Sequence, residues 1–151
     1  DVPVCLDPRP VRMQGVGDHV TAVDGIPNLP AVLVNPGVSV ETPPVFKKLA
    51  QKTNAPMPDD IPLLHTVEDA AKWLAEQRND LQAPACQLAP EINDVLMHMS
   101  DSLLARMSGS GATCFGLYAT QDLAAVAADR ILQAHPNWWV KACTLGSATP
   151  V

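Results

Sequence analysis

The chain has 151 residues, 47% of them hydrophobic and 17% charged, which is enough to bury one sizeable core and too apolar for a disordered segment. Ten Lys and Arg against sixteen Asp and Glu give a net charge of −6, with no basic stripe, which argues against a nucleic-acid partner. No apolar run reaches the length of about 18 residues that a membrane-spanning helix needs, so no membrane partner is expected.

Fifteen prolines concentrate in the first ninety residues and punctuate short elements with turns. Val11 and Met13, then Val20, Ala22 and Val23, read as two short strands around the turn Gly15-Val16-Gly17-Asp18. Ala31-Val32-Leu33-Val34 is apolar on both faces, which suits a central strand ended by Asn35-Pro36-Gly37. A helix is predicted over 43–52, with Thr42 as N-cap and proline in the first turn, where its missing N–H costs nothing.

Thr66-Val67-Glu68-Asp69 is a capping-box pattern opening a helix to about Arg78, stopped at Asn79-Asp80 and buried through Val67, Ala70, Ala71 and Leu74. A helix over 90–104 carries Ile92, Val95, Leu96, Met99 and Leu103 on one stripe. A strand over 113–119, an Ala-rich helix over 121–134 capped by Thr120 and a last strand over 138–145 complete the order. The fold class is α+β, a small mostly antiparallel sheet with helices on one face.

The most informative stretch is Met107-Ser108-Gly109-Ser110-Gly111-Ala112-Thr113, placed by its flanking patterns between a helix and a strand. Glycine tolerates positive φ and has no Cβ, so backbone N–H groups there can converge on an anion; a tight turn ending the helix is the plain alternative. Thr42 and Phe46 stand four apart and point to one side of a helix, as an N-cap with a core aromatic or as a hydroxyl and ring facing a ligand. Trp73, Trp138 and Trp139 read as packing, and one of the adjacent pair must face outward. Cys5, Cys86, Cys114 and Cys143 are widely spaced and read as free thiols of a reducing, cytoplasmic compartment. His19, His65, His98 and His135 are equally scattered, and sequence spacing assigns no metal to them.

Taken in order, Asp1-Val2-Pro3-Val4 with Gly15-Val16-Gly17-Asp18, Val32-Leu33-Val34-Asn35-Pro36 leading to Thr42 and Phe46, Asn79-Asp80-Leu81, and Met107 to Ala112 resemble the 4-diphosphocytidyl-2-C-methyl-D-erythritol kinases of the GHMP kinase superfamily. Members of that family are about twice as long. The resemblance therefore implies a C-terminal half, with residues 1–25 the tail of an ATP-binding domain and residues 26–151 a substrate domain built on a ferredoxin-like sheet. It implies an ATP-dependent, Mg²⁺-assisted kinase of non-mevalonate isoprenoid biosynthesis, acting on a small cytidyl diphosphate substrate and inactive without the other half.

By the same resemblance Asp1 is the catalytic base, Thr42 and Phe46 bind the substrate, and Gly109, Ser110, Gly111 and Ala112 support ATP binding. Asn79 and Asp80 are read as organisers of a helix end. Residues 1–25, parted from the strands they would pair with, are expected to be mobile or to self-associate with a second copy. A homoserine- or mevalonate-type GHMP kinase and a non-enzymatic ferredoxin-like regulatory module are the alternatives.

Overall fold

A computed structural model of the chain describes residues 9–146. Asp1 lies outside the described residues. The chain opens with β1 (Val11–Gln14) and β2 (His19–Ala22), antiparallel, with Val11 opposite Ala22 and Gln14 opposite His19. The turn between them is the predicted one: Gly15 and Gly17 take positive φ, and the Val16 N–H donates to Asp18 Oδ1. This hairpin is its own two-stranded sheet, tied to the proline-rich connector through Arg12, whose guanidinium donates to the carbonyls of Met57, Pro58 and Asp59.

The main sheet has the order β4-β5-β3-β6, formed by β3 (Leu29–Asn35), β4 (Leu104–Met107), β5 (Cys114–Leu117) and β6 (Trp139–Leu145), with every neighbouring pair antiparallel. Helices α1 (Thr42–Lys47), α2 (Val67–Ala75), α3 (Gln82–Leu88) and α4 (Glu91–His98) fill the crossover from β3 to β4, and α5 (Gln121–Ala134) fills that from β5 to β6. Within this β-α-β-β-α-β order β3 sits at the centre, which is the ferredoxin-like arrangement expected from the sequence.

Alternation along β3 divides the core in two. Val32 and Val34 point to one face with Val45 of α1, Ala85 of α3, Ile92 and Val95 of α4, and the stripe Ala124, Ala127, Ala128, Ile131 of α5. Leu29 and Ala31 point to the other, where α2 lays Val67, Ala70 and Ala71. Helices were expected on one face alone; α2 covers part of the second, because Ala70 and Ala71 are small enough to bring it close to the sheet.

Local chemistry explains where the boundaries fall. Thr66 and Asp69 form the full reciprocal capping box, and Thr120 Oγ1 accepts from the Leu123 N–H, so both helices start where predicted. The helix expected over 90–104 stops at His98, and Leu104-Ala105-Arg106-Met107 instead pairs with β5 as an edge strand. Helix α3 was missed entirely, because it contains Pro84 and has no side-chain cap at Leu81. Trp138 packs on the core while Trp139 is 53% exposed, so one of the pair does face outward. Among the described residues Cys86, Cys114 and Cys143 are free thiols.

Candidate functional site

The glycine loop is not a helix end. It is the connection of the β4–β5 hairpin, closed where Met107 pairs with Cys114 and where the Ser108 N–H donates to the Thr113 carbonyl at 2.8 Å. The Gly111 N–H donates back to the Ser108 carbonyl at 3.1 Å, folding the loop tip into a turn. Gly109 and Gly111 both sit at left-handed φ, +55° and +94°. Their surroundings differ: a Cβ on Gly111 would lie 2.9 Å from Met107 Sδ and 3.4 Å from Ile92 Cδ1, whereas one on Gly109 would meet nothing within 4 Å. Gly111 is thus needed inside the fold and Gly109 at an open face. Among the described residues no group accepts from the N–H of Gly109 or Ser110, which leaves two main-chain donors in the loop for another partner. Ala112, next in the loop, is buried.

Three side chains hold the loop. Asn79 Nδ2 donates to the carbonyls of both Met107 and Gly109 at 2.9 Å, while its Oδ1 accepts the Leu81 N–H at 3.1 Å. Gln82 Oε1 accepts the Met107 N–H at 3.0 Å, and Asn35 Nδ2 donates to Thr113 Oγ1 at 2.9 Å. The sequence placed Asn79 at a helix end, and its bond to Leu81 is of that kind. Its grip on the loop, thirty positions away, carried no signal in the sequence. Asp80 faces elsewhere: hydrogen bonds from Arg78 first, then from Asn54, hold its carboxyl below the ordinary carboxylate value.

Helix α1 approaches the same loop. Glu41, not Thr42, is its N-cap, and it makes no side-chain capping bond; Thr42 is the first helical residue, followed by Pro43 and Pro44. Released from capping, the Thr42 hydroxyl lies 3.0 Å from the Ser110 hydroxyl. Val45, fully buried, anchors the helix in the core, and Phe46 beside it is 50% exposed. The ring of Phe46 is therefore no core filler. It lies one turn, about 6 Å, along the helix from Thr42 and on the same side. Thr42 from α1 and Ser110 with Gly109 from the loop thus come from distant segments to one surface, with Phe46 at its margin.

The family model described as GHMP kinases C terminal matches residues 61–137, just over half of the chain. This chain belongs to the GHMP kinases. Among the curated relatives of this domain is 4-diphosphocytidyl-2-C-methyl-D-erythritol kinase of Dinoroseobacter shibae, 57% identical over 143 residues that make up 93% of this chain and 50% of the relative. The enzyme of the same name from Paracoccus denitrificans is 49% identical over 98% of this chain and 55% of its own length. The GHMP kinase domain thus spans about half the length of the curated relatives it matches. A crystal structure of 4-(cytidine 5'-diphospho)-2C-methyl-D-erythritol kinase superposes with a TM-score of 0.73 at 33% identity, over 97% of this chain and 54% of that one. Homoserine kinase from Cytophaga hutchinsonii superposes with a TM-score of 0.64 at 21% identity, a likeness of fold.

Proposed function

We propose that this chain forms the acceptor-side wall of an ATP-dependent kinase that phosphorylates the 2-hydroxyl of 4-diphosphocytidyl-2-C-methyl-D-erythritol. The observation that carries the reading is the Thr42–Ser110 contact, which joins the helix suited to a cytidyl group to the loop suited to phosphate. The relatives that share half or more of its residues bear the name of that kinase.

In this reading Phe46 offers its exposed face to the cytosine, a stacking contact worth about 1–3 kcal/mol. The Thr42 hydroxyl hydrogen-bonds a polar group of the nucleotide. The N–H groups of Gly109 and Ser110 donate to phosphate oxygens at the cleft between this domain (residues 26–151) and the ATP-binding domain to which residues 1–25 belong. Asp1, as base, takes the proton from the acceptor hydroxyl as its oxygen bonds to the γ-phosphorus and ADP departs.

ATP fits this wall through those two main-chain donors. Mg²⁺, when bound, neutralises charge on the phosphates; among the described residues no group of three His, Cys, Asp or Glu converges to hold a metal, so no residue here is assigned to it. Among the described residues the outer edges of the β1–β2 hairpin are unpaired, which supports a role for residues 1–25 in pairing with another chain segment, of the ATP-binding domain or of a second copy. No helix among the described residues is long and apolar enough to cross a membrane, and the cytoplasm is the compartment proposed.

The test is Phe46→Ala in a full-length enzyme carrying this sequence. KM for the cytidyl substrate should rise about tenfold to a hundredfold with KM for ATP little changed. Equal effects on both substrates would refute the stacking role. Turnover of homoserine or mevalonate in place of the cytidyl substrate would move the protein to another branch of the superfamily.

A further inference from the structure

Two histidines that the kinase reading leaves unused meet where α4 and α5 end. His98 closes α4 and His135 caps the C-terminus of α5, and their Nε2 atoms lie 3.0 Å apart although the residues are 37 positions apart in the chain. His98 Nδ1 lies 2.8 Å from the main-chain carbonyl of Asp94. A carbonyl only accepts, so the ring proton of neutral His98 sits on Nδ1 and the Nε2 lone pair points away from the helix. His135 is stacked on Trp138, with ring centroids 3.7 Å apart and planes 6° from parallel. Trp138 also meets His98 edge-on at 5.5 Å. Each imidazole has a support of its own, and both are partly exposed.

We propose that His98 and His135 form a chelating site for a divalent late transition-metal ion of the Ni(II) or Cu(II) class. With metal–imidazole bonds of about 2.0–2.1 Å, two nitrogens 3.0 Å apart subtend an angle of about 90° at the ion. That is the angle between adjacent ligands in octahedral or square-planar geometry, whereas tetrahedral Zn(II) needs the nitrogens a few tenths of an ångström further apart. The rings stand 86° apart, so they do not collide when both nitrogens turn to one point. Binding replaces the hydrogen bond between them: His135 moves its ring proton from Nε2 to Nδ1, and both Nε2 lone pairs become ligands.

Electrostatics favours a cation here. Two helices present their C-terminal, negative ends to the site. The nearby Arg130 donates to the His98 carbonyl at 3.1 Å, but its charge is matched by Asp101, which receives two bonds of 2.8 Å from it and one of 3.3 Å from the Tyr118 hydroxyl. No third His, Cys, Asp or Glu converges among the described residues, so water completes the coordination and the ion is exchangeable.

Calorimetric titration of the chain, prepared without a histidine tag, with NiCl2 tests the site. One ion per chain is expected, bound more tightly than Zn(II). His98→Gln and His135→Gln should each weaken binding at least about tenfold, and the His19→Gln, His65→Gln double variant should bind as the parent does. Should a variant fail to fold, NMR of the parent decides: Ni(II) broadens the ring signals of His98 and His135 before those of His19 and His65. The absence of saturable binding, a tighter Zn(II) complex, unchanged affinity in both single variants, or equal broadening of all four rings would overturn the proposal.

Discussion

The hydroxyls of Thr42 and Ser110, 68 positions apart in sequence, lie 3.0 Å from each other. Thr42 comes from the first turn of α1 and Ser110 from the tip of the β4–β5 loop, so one hydrogen bond spans the two halves of the proposed site. Whichever hydroxyl donates, the other keeps its own proton for a ligand. Thr42→Ala, Ser110→Ala and the double variant, compared by urea denaturation, should show a coupling energy of about 0.5–1.5 kcal/mol. Strict additivity would mean the contact is not made in solution.

The two glycines of the loop should respond unequally to a methyl group. Gly109→Ala meets open space and bears only the cost of a left-handed conformation, about 1 kcal/mol. Gly111→Ala adds a clash with Met107 Sδ to a φ of +94°, for a loss of about 2–4 kcal/mol. Equal losses in denaturant unfolding would show that the crowding at Gly111 is relieved at no cost.

Asn79 uses both amide hydrogens and its oxygen at once. Asn79→Ala should destabilise the chain by about 1–3 kcal/mol through unsatisfied partners. Asn79→Asp should be at least as harmful despite its matching shape, since it sets a carboxylate against two carbonyl oxygens. Faster amide exchange at the Gly111 N–H in both variants, by mass spectrometry or NMR, is the accompanying sign that the loop has lost its brace.

Acid should weaken α2 at its first turn. The Asp69 carboxyl is held below the usual carboxylate value, chiefly by the hydrogen bond with Thr66 and also by the N–H groups of His65 and Thr66. Its folded value is depressed, so the stability it adds is present above the unfolded value of about 3.9 and is lost as pH falls through the folded one. Asp80 acts in the same direction through Arg78 and Asn54. Thermal unfolding followed between about pH 5 and pH 2 should therefore show a falling Tm, shallower in Asp69→Asn than in the parent. Identical slopes would remove Asp69 from the account.

What the sequence made legible was what local chemistry writes down. The capping box at Thr66, the cap at Thr120 and the doubly apolar run of β3 each carry their signal within a few residues; the two helices began where they were read, and β3 starts two residues before the run Ala31 to Val34 that announced it. Helix α3 was illegible because Pro84 reads as a breaker, although here it is buried in the helix's first turn, where no N–H is missed. The stripe of α4 ran on through Leu103 and concealed β4, a four-residue edge strand whose identity comes from its pairing with β5. For the site, the motifs named Thr42, Phe46 and the glycine loop, but the N-cap role given to Thr42 belongs to Glu41. The supports at Asn79, Gln82 and Asn35 are long-range contacts, and periodicity has no means of announcing them.

Because the glycine loop is pinned at both ends by the pairing of Met107 with Cys114, its length is as constrained as its chemistry. Adding or removing a single residue would slide one strand past the other by one position and turn Cys114 from the core toward the opposite layer. Variation in this stretch should thus appear as substitution at Ser108, whose side chain makes none of the bonds described above, rather than as insertion: the sheet acts as a ruler, and whatever the tip holds is measured from it.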